Sequence, residues 1–179
     1  MNKQIFIING SGGVGKDLFV KIVKEILDKQ SQLFSTVINF SSVDKVKEIA
    51  KIVGWNGGKN EKDRKFLSDL KLLTTDYNDM PFESLKAKVN YFNHSLAQLL
   101  FLHIREPQEI DRAKQEFNAK TVLVKRDSVE QIISNMADAN VYNYNYDFVI
   151  ENNGSIEDLK ETARKFLLQI GVLENEEKR

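Results

Sequence analysis

The sequence predicts an α/β chain, with a parallel sheet covered by helices on both faces. Short β-branched apolar runs alternate with amphipathic stretches along the 179 residues. The first run is apolar almost without interruption, as in a strand buried on both sides. Only two prolines, Pro81 and Pro107, punctuate the alternation, and no repeat or low-complexity segment breaks it. Strands separated by helices imply right-handed crossovers, and those make the sheet parallel.

Gln4 to Asn9 (Gln-Ile-Phe-Ile-Ile-Asn) is the first strand. Phe19, Ile22, Val23, Ile26 and Leu27 follow at helical spacing and place a helix from about Gly15 to Lys29. Leu33 to Phe40 is expected as the second strand. Helices are expected over Val43 to Val53, Lys62 to Thr75 and Phe82 to Leu96, then a third strand over Leu99 to Ile104. Pro107 suits the first turn of the next helix, where its missing amide would be unpaired anyway. Thr121 to Val124 is the fourth strand and Tyr146 to Ile150 the fifth. Ser155 and Asp158 form a capping box ahead of the stripe Ile156, Leu159, Ala163, Phe166, Leu167 and Ile170. Gly171 supplies a left-handed residue after that helix. Residues 1–173 thus form one domain, and the tail 174–179 is expected to fray.

Lys plus Arg number 26 and Asp plus Glu number 26, so the formal net charge is zero. That balance disfavours a dedicated nucleic-acid partner. The absence of cysteine removes disulfides and thiolate metal sites. No run reaches the roughly 18 apolar residues of a membrane span. Met1-Asn2-Lys3-Gln4 leads straight into a strand, without a cleavage-site pattern. A cytoplasmic protein with no membrane partner is expected.

In a parallel sheet, ligands sit beyond the carboxyl ends of the strands. The first strand-to-helix turn reads Gly10-Ser11-Gly12-Gly13-Val14-Gly15-Lys16-Asp17, which matches G-x-x-x-x-G-K. Phosphates crowd against main chain there, so small residues with free backbones are required. The amides of Gly12 to Lys16 would converge on an anion, aided by the positive end of the helix. Lys16 would reach the β- and γ-phosphates. Asp17 stands where Ser or Thr is usual. As a hard-oxygen donor it is a candidate Mg²⁺ ligand; a helix-start residue favoured by the dipole is the equal alternative.

With these residues the chain resembles the P-loop nucleoside and nucleotide monophosphate kinases. Within them it is similar to the phage-type deoxynucleoside monophosphate kinases and the animal-type phosphomevalonate kinases, which also carry Gly-Lys-Asp. Phe40-Ser41-Ser42-Val43-Asp44-Lys45-Val46-Lys47 resembles a family segment whose lysine, here Lys47, lies near the acceptor. Ile104-Arg105-Glu106-Pro107 resembles the pattern in which an arginine after the third strand contacts phosphate. Tyr146 to Ile150 followed by Asn152-Asn153-Gly154-Ser155 resembles the strand and turn bordering the adenine. The resemblance implies the three-layer P-loop NTPase fold, a five-stranded parallel sheet with order 2-3-1-4-5. It also implies γ-phosphoryl transfer from Mg-ATP to a small phosphorylated acceptor. ATP and Mg²⁺ are then the expected cofactors, bound by residues 10–18, including Leu18, with Arg126, Asn152 and Asn153. Lys16, Arg105 and Arg126 are the catalytic candidates. Lys47, Arg64 and Arg105 are candidates for the acceptor, whose insert spans about 41–80. Arginine can grip a phosphate with two parallel hydrogen bonds, although Arg64 could equally be a solvated residue of a charged helix. Residues 43–73 hold eight Lys or Arg against five Asp or Glu, an excess that an anionic acceptor or a solvated face would explain. Trp55, between Gly54 and Gly57, could cover a base or simply pack.

Two departures stand out. His103 occupies the place where the family usually has an aspartate that helps hold Mg²⁺. The lid expected over about 127–145 normally carries arginines, yet residues 127–159 contain no Lys or Arg. Arg126 is the nearest guanidinium, for the lid role or for stacking on the base. Residues 137–146, with three tyrosines, could contact a base or sugar, or pack on one another. Three functions follow: a (deoxy)nucleoside monophosphate kinase, a kinase of a non-nucleotide phosphate, or a nucleotide-binding sensor that has lost the chemistry.

Overall fold

The computed structural model of the chain describes residues 3–30, 36–129 and 141–174. By its contacts the chain divides into two compact units, Met1–Asn39 with Leu96–Arg179, and Phe40–Ser95. The first holds β1 (Gln4–Asn9), α1 (Lys16–Gln30), β3 (Leu99–His103), α5 (Pro107–Phe117), β4 (Lys120–Lys125), β5 (Phe148–Glu151) and α6 (Ile156–Gln169). β2 (Val37–Ser41) begins in it and ends in the second unit. The second unit is helical, with α2 (Asp44–Ile52), α3 (Glu61–Asn78) and α4 (Met80–His94).

Five strands form one sheet in the order β2-β3-β1-β4-β5. The pairings of β1 with β3, of β1 with β4 and of β4 with β5 are parallel. Helices cover both faces, so the expected fold class holds. Phe6 is the centre of one face, its ring centroid 5.6 Å from that of Phe101 and 5.2 Å from that of Phe166. Such ring pairs add about 0.5–1.5 kcal/mol each beyond the area they bury. Phe19, Ile22, Val23 and Ile26 of α1 and Leu159, Ala163 and Leu167 of α6 complete that core. These are the apolar stripes that helical spacing marks in the sequence. In the second unit Val46, Ala50, Phe82, Leu85, Val89 and Phe92 are buried.

Element ends differ from expectation where a side chain captures the backbone. The second strand was expected from Leu33, in residues outside those described, but Thr36 is not part of it. Its hydroxyl donates to Asp28 at 2.6 Å and its carbonyl accepts from the Gln98 amide at 2.8 Å. The fifth strand starts at Phe148 rather than Tyr146, because the Asp147 carboxylate accepts from the Thr121 N–H at 2.7 Å. α3 runs longer than the expected Lys62 to Thr75, capped by Asn60 and ended by Asp79 at φ +54°. The cap of α6 is a full reciprocal box of Ser155 and Asp158, and Gly171 has φ +70°. Among the described residues no helix is long and apolar enough to cross a membrane.

Candidate functional site

β1 ends at Asn9 and α1 begins at Lys16, so residues 10–15 turn at the carboxyl edge of the central strand. Three glycines make this turn possible. Gly10, Gly13 and Gly15 have φ of +147°, +86° and +97°, where L side chains are strained. A Cβ on Gly10 would lie 2.3 Å from the Val124 carbonyl oxygen, and one on Gly15 would lie 2.4 Å from Asn152 Nδ2. Gly10 thus lies against the Val124 main chain and Gly15 against the Asn152 side chain, at the positive end of α1.

The loop is held from beneath by two buried asparagines. Asn9 Oδ1 accepts from the Gly10 N–H at 2.8 Å. Asn152, at the exit of β5, donates from Nδ2 to the Val14 carbonyl at 2.8 Å, and its own N–H reaches the Lys125 carbonyl at 2.8 Å. Lys16 Nζ donates to the Gly10 carbonyl and, at 2.9 Å, to the Ser11 carbonyl, placing its ammonium at the start of the loop. Ser11 is 1% exposed, and its Oγ is buried without a hydrogen-bond partner among the described residues. A buried hydroxyl without a partner costs about 1–3 kcal/mol, so it calls for a polar partner such as a water or a ligand oxygen. Positive-φ glycines at a helix start, an ammonium and that hydroxyl suit a polyphosphate.

Asp17 projects from the first turn of α1 and is exposed, with Leu18 also at the surface. His103, the last residue of β3, lies 3.7 Å from Asp17 Oδ1 and 2.7 Å from Asn39 Oδ1 through the same Nε2. His103 therefore touches Asp17 directly, so the aspartate-to-histidine departure falls beside the carboxylate chosen as the Mg²⁺ candidate. Among the described residues no group of three or more His, Cys, Asp or Glu could hold a metal by itself. One exposed carboxylate still fits Mg²⁺, which keeps its waters and binds through substrate phosphates.

Arg105 follows β3 and is exposed; its carbonyl receives Asn9 Nδ2 at 3.4 Å. Arg126 follows β4 and is exposed as well. Beside it Asp127 and Asn153 clip together, Asp127 N–H to Asn153 Oδ1 and Asn153 Nδ2 to Asp127 Oδ2, both at 2.8 Å. Asn153 thus joins the exits of β4 and β5, and Asn152 touches the loop's own main chain. Lys47 and Arg64 belong to the second unit. There Lys47 is 3.6 Å from Asp44, and Arg64 Nε donates to the Lys59 carbonyl at 2.8 Å. Trp55 Nε1, in the same unit, is buried without a partner.

Sequence reasoning missed Asn9. Its signal was a lone polar residue ending an apolar strand just before the glycine turn. Of the tyrosines between 137 and 146, Tyr144 donates to Asp111 at 2.6 Å and packs edge-on against Tyr146, with centroids 5.1 Å apart. Residues 130–140, including most of the expected lid, lie outside the described residues.

Comparison with solved structures places this geometry in a known architecture. A tunicamycin resistance protein from Deinococcus radiodurans matches over 96% of this chain and 98% of its own, with TM-score 0.56 and 13% identity. A shikimate kinase from Aquifex aeolicus matches over 94% and 96%, with TM-score 0.52 and 11% identity. A dephospho-CoA kinase from Campylobacter jejuni matches over 94% and 97%, with TM-score 0.51 and 17% identity. The fold is the three-layer P-loop NTPase fold. At these identities the likeness concerns the fold, and function rests on the residues themselves. No protein-family model and no curated protein matches the chain.

Proposed function

We propose that this chain transfers the γ-phosphoryl group of ATP to a small phosphorylated acceptor, with a (deoxy)nucleoside monophosphate as the acceptor. The observation that carries the proposal is the loop from Gly10 to Lys16. Its three positive-φ glycines, the Lys16 ammonium at its start and a buried Ser11 hydroxyl without a partner among the described residues suit phosphates on which the loop amides would converge.

Phosphoryl transfer requires positioning, and cations where negative charge spreads over the transferred group. The loop amides and Lys16 would hold the donor's β- and γ-phosphates. Asp17 would hold Mg²⁺, which would offset the negative charge of the donor phosphates. Arg105, at the carboxyl end of β3, would meet the transferred group or the acceptor phosphate. Arg126, where β4 ends, would stack on the base or close over the phosphates. Lys47 and Arg64 of the second unit would grip the acceptor phosphate.

His103 beside Asp17 favours a second reading, a nucleotide sensor without turnover. An imidazole 3.7 Å from Asp17, the first metal-binding candidate ahead of Glu106 and Glu109, would compete with the metal for that carboxylate. One assay separates the two. ADP formation from Mg-ATP is followed with a panel of nucleoside monophosphates and small phosphates. The kinase predicts acceptor-dependent turnover that falls at least about 100-fold in Lys16→Ala, the scale of one lost transition-state cation. Mg-ATP binding with no turnover on any acceptor selects the sensor.

A further inference from the structure

Asn9 is fully buried, and its amide is engaged at three separate places. Oδ1 accepts from Gly10 N–H at 2.8 Å. Nδ2 donates to the Tyr146 hydroxyl at 2.9 Å and to the Arg105 carbonyl at 3.4 Å. The Tyr146 hydroxyl in turn donates to the Val141 carbonyl at 2.8 Å. A carbonyl can only accept, so this last bond fixes the direction of the whole chain of bonds: Asn9 to Tyr146 to Val141.

We propose that Asn9 and Tyr146 are positioning residues that tie the opening turn of the phosphate loop to the Arg105 main chain and to the segment 141–146. Neither touches the nucleotide, yet together they set how tightly its phosphates are held. The proposal rests on the reading of the loop as a nucleotide site.

The physical route is short. Asn9 Oδ1 orients the peptide joining residues 9 and 10, and Gly10 then takes φ +147°, which only glycine tolerates at that contact. The Gly10 carbonyl is in turn an acceptor for Lys16 Nζ. Loss of the Tyr146 hydroxyl leaves one Asn9 N–H without its closest acceptor in a buried place, where an unpaired polar group is costly. The amide can then rotate, and its hold on Gly10 loosens. Burial also pushes the Tyr146 phenol up to about 12, so the hydroxyl keeps its proton across the neutral range. Because Asn9 also holds the Arg105 carbonyl, donor loop and arginine share one anchor.

The test uses the full chain labelled with ¹⁵N. Tyr146→Phe deletes the one hydroxyl and keeps the ring that packs on Tyr144. Tyr144→Phe, whose hydroxyl bonds Asp111, is the control for general loosening of the segment. Amide exchange at Gly10 and the dissociation constant for Mg-ATP are measured in each. Tyr146→Phe is expected to raise Gly10 exchange about tenfold and weaken Mg-ATP about three- to tenfold, the scale of one net hydrogen bond. Tyr144→Phe is expected to do neither. Equal effects in both variants, or an unchanged Gly10 amide in Tyr146→Phe, overturn the proposal. If Tyr146→Phe does not fold, Asn9→Ala is read against the same two measurements, with the same direction expected and the same unchanged amide overturning it. If the wild-type chain fails to bind Mg-ATP, the nucleotide reading falls, and Gly10 exchange alone still decides whether the tie exists.

Discussion

Gly10 shows how much a single methyl group can cost in this chain. Its Cβ would meet the Val124 carbonyl oxygen at 2.3 Å and Val14 Cγ2 at 2.9 Å, with φ at +147°. Both neighbours belong to the packed interior, so neither can retreat cheaply. At Gly13 the same methyl meets, among the described residues, nothing nearer than Val129 Cγ1 at 3.7 Å, which leaves the φ of +86° as the unfavourable feature. Gly13→Ala should therefore cost about 1–2 kcal/mol, the penalty of a left-handed residue alone. Gly10→Ala should cost clearly more, about 3 kcal/mol or above, since backbone must shift as well. Urea denaturation of the two variants checks the ranking; equal losses would mean that the contact at Gly10 relaxes without strain. The motif spacing made these glycines legible in the sequence. Asn9 beneath them was not, and Asn152 was named through the resemblance without its bond to the loop. Asn152 and Val14 are 138 residues apart, and no local pattern announces a bond over that separation.

At the scale of elements, hydrophobic spacing identified each strand and helix, and polar side chains decided where they stop. Asp147 is such a stop. Its carboxylate takes the Thr121 N–H at 2.7 Å and the Thr121 hydroxyl at 2.8 Å, and Lys114 Nζ lies 3.3 Å away. Desolvation alone would raise its pKa; the Thr121 hydrogen bonds and the Lys114 charge together outweigh that and hold it below the usual carboxylate range. A carboxyl depressed on folding adds stability above its unfolded pKa of about 3.9, and loses it as pH falls through the lower folded value. Asp147→Asn should therefore lose about 1 kcal/mol at pH 7, a modest figure because solvent screens this partly exposed group. Between about pH 4 and pH 2 the deficit should shrink, because the wild-type carboxylate is then itself protonated. Urea midpoints across that range measure it. A deficit that stays constant with pH would assign the loss to packing rather than charge. Nothing in the alternation of Tyr144, Tyr146 and Phe148 signalled this bond, because the Thr121 partner sits on a different strand.

At the scale of the molecule, the α/β class was legible because each strand is a short apolar run and each helix carries a stripe. Strand order was not contained in those patterns; it followed from resemblance, and the sheet shows it. The division at Phe40 and Ser95 had no compositional marker, since α4 is as apolar as a core helix. That division carries a testable consequence. The donor loop lies wholly in the first unit, whereas Lys47 and Arg64 lie in the second. If the first unit holds ATP and the second supplies acceptor contacts, substitutions in the two should separate by ligand. A nucleotide at a hundred times its dissociation constant stabilises the folded state by about 2.7 kcal/mol. In a chain of this size that is a rise of about 5–10 °C in the thermal midpoint. Mg-ATP should give this rise in the wild type and in Arg64→Ala, and almost none in Lys16→Ala. Acceptor-dependent ADP formation should behave the other way for Arg64→Ala, with the acceptor KM raised about tenfold or more and the ATP KM unchanged, because a lost guanidinium–phosphate pair is worth about 1.5–3 kcal/mol. Loss of the ATP-dependent rise in Arg64→Ala would place that residue with the donor. An unchanged acceptor KM would leave it a solvated residue, anchored only to the Lys59 carbonyl.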